Sequence, residues 1–224
     1  LRLDNSGYNN FNANSITTLS GSSSIQNINF AGTSNSNNFT SNSINNYGDN
    51  GKGFDLSTNN NILTGNNITC TGSGSKNVVI SGNANTLNSN NINNTASDGY
   101  AVSLEFGAFS AQNTILLNNN IISNGNVISD TASGMPVNNY LIYNNSFGEI
   151  NWNKSNTNLN TNINLSVGSS INLQNNLVGM LDKESNGLNS SAVIKFFGLG
   201  YGSQPQLLKN GIRCDNDSSL CNIT

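Results

Sequence analysis

A short pattern occurs six times in this chain at nearly equal intervals. In each copy an apolar residue is followed three positions later by an asparagine, and a second apolar residue stands two positions after that. The asparagines are 28, 24, 24, 29 and 26 residues apart, a period typical of solenoids, whose repeats bury their apolar faces by stacking. The copies are Phe11/Asn14/Ile16, Phe39/Asn42/Ile44, Leu63/Asn66/Ile68, Leu87/Asn90/Ile92, Leu116/Asn119/Ile121 and Ile142/Asn145/Phe147.

A second apolar segment keeps the same period. Apolar and polar residues alternate in both segments, which is the period of a strand with one face inward, and helical periodicity is absent. We therefore predict an all-β fold in which residues 1–152 form a parallel β-helix, a solenoid of about six coils. The second segment is marked by apolar pairs 12 and 14 residues after three successive repeat asparagines, namely Phe54 and Leu56, Val78 and Ile80, and Val102 and Leu104.

The repeat stops after Trp152. Apolar runs at 162–167, 170–178 and 192–197 are separated by turn residues, with spacing close to that of antiparallel hairpins. This pattern predicts a small β-sandwich-like or meander domain over residues 153–224 that packs on the last coil. At the other end the first coil has no amphipathic helix and no charged or proline-rich segment to cover its edge. Either residues before Leu1 are missing from the sequence, or another molecule covers that edge.

The repeated asparagines favour a structural role over ligand binding. At equal positions in stacked coils, asparagine side chains can hydrogen-bond to the copies above and below and satisfy buried polar atoms at a bend. We predict such a ladder for Asn14, Asn42, Asn66, Asn90, Asn119 and Asn145. Cys70 stands two residues after Ile68, in the inward phase of its coil, and is predicted to be a buried, inert thiol.

Composition narrows the classes of function. Only 8% of the residues are charged, the net charge is −3 and no basic cluster is present, so neither nucleic acid nor an anionic membrane surface is an expected partner. No stretch approaches the roughly 18 apolar residues of a membrane span. Nine Asn-x-Ser/Thr sequences are candidate N-glycosylation sites: Asn38, Asn67, Asn93, Asn144, Asn153, Asn164, Asn189, Asn216 and Asn222.

The last two cysteines point to an oxidising compartment. Cys214 and Cys221 close a short segment and have no histidine or further cysteine at zinc-ligand spacing. We predict a local disulfide, with two free thiols as the alternative. Between them, Asp215 and Asp217 offer oxygen donors for calcium, although the spacing is not that of an EF-hand and a solvated turn is the competing interpretation.

Two resemblances follow from these residues. The phased coils, such as residues 61–69, resemble the right-handed parallel β-helix repeats of the pectin-lyase-like superfamily over about two thirds of the chain. Residues 139–152 and 207–214 resemble asparagine-rich β-helix surface proteins predicted from archaeal genomes. The first resemblance implies a right-handed β-helix. The second implies an exported, surface-associated protein and supplies no active site.

Enzymes of that superfamily work with clustered carboxylates, often calcium, and a basic residue on one outer face. Here Asp49 and Asp98 share nearly the same phase but lie two coils apart, about 10 Å at about 4.8 Å per coil. The only arginines are Arg2 and Arg213, and histidine, the commonest general base, is absent. No catalytic cluster can be assembled, so we expect no enzymatic activity and no cofactor.

Our leading hypothesis is an extracellular structural or adhesive cell-surface protein. Its β-helix would be a rigid spacer, and uncapped ends would let copies assemble head-to-tail into a filament, because such a contact does not close. The alternative is a glycan-binding or polysaccharide-degrading module, for which carboxylate pairs and the rings of Tyr140, Tyr143 and Trp152 are the candidates. A passive stalk within a longer chain is a third interpretation.

Overall fold

The computed structural model describes residues 1–19, 25–105, 111–131, 138–153, 159–180, 188 and 192–200, and the backbone of 208–209 and 212–213. These residues form strands and turns, with no helix among them. Strands are numbered in chain order.

Three sheets run along the molecule. Sheet A consists of β1 (Arg2–Asp4), β4 (Gln26–Ala31), β7 (Lys52–Leu56), β10 (Lys76–Ile80), β13 (Tyr100–Leu104) and β16 (Asn126–Asp130). Sheet B consists of β2 (Asn10–Asn12), β5 (Asn38–Thr40), β8 (Ile62–Thr64), β11 (Thr86–Asn88), β14 (Ile115–Leu117), β17 (Tyr140–Asn144), β18 (Gly148–Asn153) and β21 (Val193–Phe196). Sheet C consists of β3 (Ser15–Thr18), β6 (Ser43–Asn46), β9 (Asn67–Cys70), β12 (Asn91–Asn94) and β15 (Asn120–Ser123).

Two antiparallel hairpins complete the described strands. The first joins β19 (Ile171–Gln174) to β20 (Leu177–Met180), and the second joins β22 (Leu208–Lys209) to β23 (Ile212–Arg213).

Each turn of the chain gives one strand to each of the three sheets, and neighbouring turns pair in parallel. The strands β1 to β15 make five complete turns, and β16 and β17 follow before the chain reverses. The predicted all-β parallel solenoid is therefore confirmed, with about five turns rather than six coils.

The predicted stacking of apolar residues is present in both segments. In sheet C the isoleucines of successive turns are direct neighbours: Ile16, Ile44, Ile68, Ile92 and Ile121. In sheet A, Phe54, Val78 and Val102 are paired in the same way. These side chains are buried, except Ile16 at the end of its stack, which is half-buried. The core is thus a column of aliphatic and aromatic groups along the axis.

The repeated pattern spans two strands, not one. The residue directly before each of the first five repeat asparagines has a positive φ: Ala13, Ser41, Gly65, Ser89 and Asn118. A left-handed residue turns the chain sharply. As a result, the first apolar residue of each copy lies in sheet B and the second lies in sheet C.

The sixth copy of the pattern was interpreted wrongly. Leu141, not Ile142, is the neighbour of Leu116 in sheet B. After β17 the chain turns back, and β18 pairs with β17 in the antiparallel direction. Ile142 consequently faces outward and Phe147 lies in the hairpin turn, where 43% of its surface is exposed.

Residues 159–173 cover the C-terminal end of the solenoid. Thr161 bridges to Ile128 of sheet A, and Leu165 bridges to Ile121 of sheet C, both in the antiparallel direction. Leu159, Leu165 and Ile171 are fully buried in the same hydrophobic core as the coils. Of the three predicted apolar runs, 170–178 and 192–197 contain antiparallel strands, whereas 162–167 forms only isolated bridges. The strand β21 joins sheet B. The division into domains at residue 152 stays a prediction.

The left-handed corner gives a first prediction. A methyl group on Gly65 would meet only Ser41 Oγ, at 3.8 Å, so the effect of Gly65→Ala is conformational. We expect Gly65→Ala to lower the free energy of unfolding by about 1 kcal/mol. The matched change one turn earlier, Ser41→Gly, should raise it by about 0.5 kcal/mol. Urea unfolding followed by circular dichroism measures both, and changes of the same sign would contradict the argument.

Candidate functional site

The corner between sheets B and C contains a continuous chain of asparagine amides. Asn14, Asn42, Asn66, Asn90 and Asn119 make four steps, and in each step the backbone N–H and the side-chain Nδ2 of one asparagine both donate to Oδ1 of the next, at 2.9–3.0 Å. From the second asparagine onward, Nδ2 also donates to a main-chain carbonyl of the preceding turn, at 2.8–3.0 Å. We call this series the first ladder. In all four steps from asparagine to asparagine, the hydrogen bonds are donated toward the C-terminal end of the solenoid.

Asn145 is not part of the first ladder, contrary to prediction. Its Nδ2 donates to the carbonyl of Leu173 at 2.8 Å, and its Oδ1 accepts the backbone N–H of Phe147 at 2.9 Å. The chain reverses here, so no further parallel turn stands in register above Asn119. Asn145 instead caps the hairpin turn and ties it to the strand β19.

A second ladder at the corner between sheets A and B was missed from the sequence. Asn9, Asn37, Asn61 and Asn85 repeat the same donation from backbone N–H and Nδ2 to the next Oδ1, at 2.9–3.2 Å. Each also follows a residue with positive φ. The signal was available, because each member stands five residues before a repeat asparagine. In a chain so rich in asparagine, a constant five-residue spacing between asparagines is not distinctive.

The second ladder is interrupted at Thr114. This residue is fully buried, and its hydroxyl Oγ1 has no hydrogen-bond partner. Its backbone N–H still donates to Oδ1 of Asn139, at 2.9 Å, as a ladder member would. Thr114 thus keeps the main-chain part of the arrangement but lacks the amide that would link Asn85 to Asn139.

Restoring the missing amide gives a second prediction. Thr114→Asn should raise the free energy of unfolding by about 1 kcal/mol, because a buried unpaired hydroxyl is replaced by a group with partners on both sides. The control is Thr114→Val, which removes the hydroxyl without supplying an amide. Equilibrium unfolding in urea compares the three proteins. The ladder explanation fails if the asparagine variant is no more stable than the valine variant.

The outer face of sheet A brings together charged and polar side chains from several turns. Lys52 Nζ lies 2.8 Å from Asp55 Oδ2, and Lys76 Nζ lies 2.6 Å from Glu105 Oε1. Lys76 Nζ also lies 5.4 Å from the ring centroid of Tyr100. We call this set the charged face, and its remaining members are Gln26, which donates to Asp55, and Ser103, which donates to Glu105, both at 2.9 Å.

The electrostatics of the charged face favour the ionised form of Glu105. Partial burial raises the pKa of Glu105, but the hydrogen bond and positive charge of Lys76 outweigh this effect, with smaller help from Ser103 and Lys52. The pKa of Glu105 therefore lies below its ordinary value. An ionised carboxylate beside a lysine is suited to holding polar groups in place, and it is not poised as a general acid near neutral pH.

The carboxylates of Asp49 and Asp98 belong to the turns between sheets C and A. The backbone N–H of Ser73 donates to Asp49 at 3.0 Å, and that of Gly74 donates to Asp98 at 2.9 Å. The Gly74 N–H, followed by the Ser73 hydroxyl, lowers the pKa of Asp98. Both carboxylates therefore support turns in the intervening coil. Among the described residues, no group of three or more His, Cys, Asp or Glu side chains is placed to hold a metal ion.

The aromatic residues proposed for sugar stacking are mostly buried. Tyr143 is fully buried and donates its hydroxyl to the carbonyl of Asn119 at 2.6 Å, and burial raises its pKa. Trp152 is also buried and donates Nε1–H to the carbonyl of Leu188 at 3.2 Å. Tyr140 is half-buried. Tyr143 thus contacts the covering segment at Leu165, and Trp152 contacts Leu188 further along the chain.

The remaining candidates from the sequence are a thiol, the glycosylation asparagines and residues near the C-terminus. Cys70 is buried and free, and burial raises its pKa to about 12, so its thiol stays protonated near neutral pH. Of the glycosylation candidates, Asn67 and Asn164 are exposed, whereas Asn38, Asn93, Asn144 and Asn153 are half-buried. Outside the described residues lie Asn189, Asn216, Asn222, the predicted disulfide Cys214–Cys221 and the calcium candidates Asp215 and Asp217.

The fold and its ladders define this chain as a parallel β-solenoid. Comparison with protein-family models, with curated proteins and with solved structures finds no match. Within the part of the chain that the structure describes, no helix has the length and apolar character needed to cross a membrane.

Proposed function

We propose that this chain is an extracellular structural or adhesive protein of the cell surface, in which the solenoid is a rigid spacer and copies associate head-to-tail. The observation that supports this role is the continuity of the first ladder. It runs without interruption through all five turns, from Asn14 to Asn119.

Continuity matters because it makes bending costly. Each turn is joined to the next by strand pairs in three sheets and by asparagine amides at the corners. Bending the rod opens these contacts on one side, and buried amides that lose their partners pay the full desolvation penalty of about 1–3 kcal/mol each. A solenoid held in this way keeps its two ends at a fixed distance, which suits a spacer.

A surface location is supported by composition and by exposed glycosylation sequences. The chain is polar but has few charges, and Asn67 and Asn164 are accessible. We include in this proposal the resemblance to the pectin-lyase-like coils and to asparagine-rich archaeal surface proteins. Glycan attachment and the terminal disulfide are also part of the proposal.

Assembly is the third prediction. Purified protein should form particles that lengthen as its concentration rises, because a head-to-tail contact leaves a free end after each addition. Negative-stain electron microscopy and light scattering coupled to size-exclusion chromatography measure the length and the mass. Particles that stay monomeric at every concentration would exclude self-association, although a monomeric spacer would remain.

The charged face supports a second candidate function, a glycan-binding module. Paired lysines and carboxylates beside a half-buried tyrosine offer hydrogen bonds and a ring to a polysaccharide laid across the turns. The fourth prediction is that, if the protein is a glycan-binding module, the glycan binds on the charged face. A glycan array, with a polyuronate screen for turnover, should show a ligand that Tyr100→Ala and Lys76→Ala both weaken.

The matched control for this alternative is Lys195→Ala. Lys195 pairs with Glu149 at 2.9 Å on the outer side of sheet B, away from the charged face. Its loss should leave glycan binding unchanged. A ligand that is bound equally well by all three variants does not use the charged face.

A further inference from the structure

Sheet B is the only one of the three sheets in which a described strand is open at both ends of the molecule. At the N-terminal end its last strand is β2, and at the C-terminal end it is β21. Sheets A and C end differently, because Thr161 and Leu165 bridge to their last strands. Among the described strands, β21 is therefore the edge that continues a sheet of the solenoid at the C-terminal end.

The direction of β21 matches that of the solenoid strands. The strand β18 runs antiparallel to β17, and β21 runs antiparallel to β18. Two reversals restore the original direction, so β21 is parallel to β17 and to every earlier strand of sheet B, including β2. A second copy placed along the same axis would bring β21 against β2 in the parallel arrangement that the solenoid already uses.

The side chains at the two edges are complementary in character. On the inward face, Ile194 pairs with the buried Ile150, yet 49% of its surface is exposed. At the opposite end, one side of the Phe11 ring stacks on Phe39 with centroids 4.5 Å apart, and the residue is half-buried, with no described strand on its other side. Each edge thus presents an apolar residue at the last described position of sheet B.

A charged residue on β21 does not block this edge. Lysine often protects edge strands from unwanted pairing. Here Lys195 lies on the outer face and is held by Glu149 of the neighbouring strand β18, at 2.9 Å. Val193, Ile194, Phe197 and Leu199 are exposed apolar residues in and beside β21.

We propose that β21 of one copy pairs in parallel with β2 of the next copy, so that sheet B continues through the contact and Ile194 or Phe196 packs on the ring of Phe11. Strand addition to an open sheet edge supplies main-chain hydrogen bonds, and the apolar pair supplies specificity. The contact is heterologous and does not close. This inference rests on the proposed head-to-tail function and names the surfaces that it uses.

The fifth prediction tests the two edges separately. Ile194→Lys and Phe11→Lys each place a charge in the contact, and each should raise the concentration needed for assembly about tenfold or more. The control is Ile62→Lys, since Ile62 is 44% exposed but lies on the outer side of β8, in the middle of the solenoid. Circular dichroism and urea unfolding verify that each variant is folded, and light scattering after size-exclusion chromatography gives the mass.

Mixing the two variants gives a sharper result. The Ile194→Lys protein keeps an intact β2 edge, and the Phe11→Lys protein keeps an intact β21 edge. At a concentration that just suffices for the natural protein to assemble, each variant alone should remain monomeric, whereas the mixture should form a one-to-one dimer and nothing longer. If Phe11→Lys does not fold, adding Ile194→Lys to the natural protein decides instead. It should terminate growth at one end and shorten the assemblies in proportion to its share.

The outcomes separate the two proposals. Natural protein that stays monomeric overturns head-to-tail association itself. Natural protein that assembles while Ile194→Lys and Phe11→Lys assemble equally well overturns only the β21–β2 contact. Loss of assembly in the Ile62→Lys control as well would also count against that contact, since the added charge would then act without regard to position.

Discussion

The amide group of asparagine at the corners is the interaction on which the rest of this structure depends. A solenoid must turn its backbone several times per coil, and every turn leaves polar groups inside that need partners. An asparagine supplies a donor and an acceptor on one short side chain, so it can bond to the turn before and the turn after it. The isoleucine and leucine columns lie in register because the asparagines beside them do.

Much of this fold was predictable from the period, and the errors have physical causes. The vertical neighbours Ile44, Ile68 and Ile92 followed from equal spacing alone. The split into strands of sheets B and C did not, because serine and alanine, such as Ser41 and Ala13, occupy left-handed corners where glycine would have marked the turn. The reversal after β17 also escaped prediction. A local pattern at Ile142 and Asn145 matched the repeat, whereas the actual register depends on which distant residues cover the last coil.

The candidate surfaces were harder to predict than the core. The ion pair of Lys76 and Glu105 joins residues 29 positions apart, and it becomes visible only when the register of sheet A is known. The open edge of β21 depends on two chain reversals that no local signal records. The surroundings of Tyr143 and Trp152 likewise include distant residues, since the Tyr143 hydroxyl lies 3.5 Å from the carbonyl of Leu165 and Trp152 donates to the carbonyl of Leu188. The positions of inward-facing side chains follow from the repeat period. The positions of side chains at the ends of the rod depend on contacts that differ from one end to the other.

The hydrogen bonds from asparagine to asparagine in the first ladder all run in one direction, so the two ends of the rod differ. Two steps of the first ladder, from Asn42 to Asn66 and from Asn66 to Asn90, have the same length of 24 residues and the same hydrogen bonds. These two coils are therefore equivalent modules. Duplicating or deleting one would change the reach of the protein by about 4.8 Å and leave both extremities as they are. The length of such a molecule therefore changes in steps of one coil. Gene duplication can adjust it while the attachment surfaces stay the same.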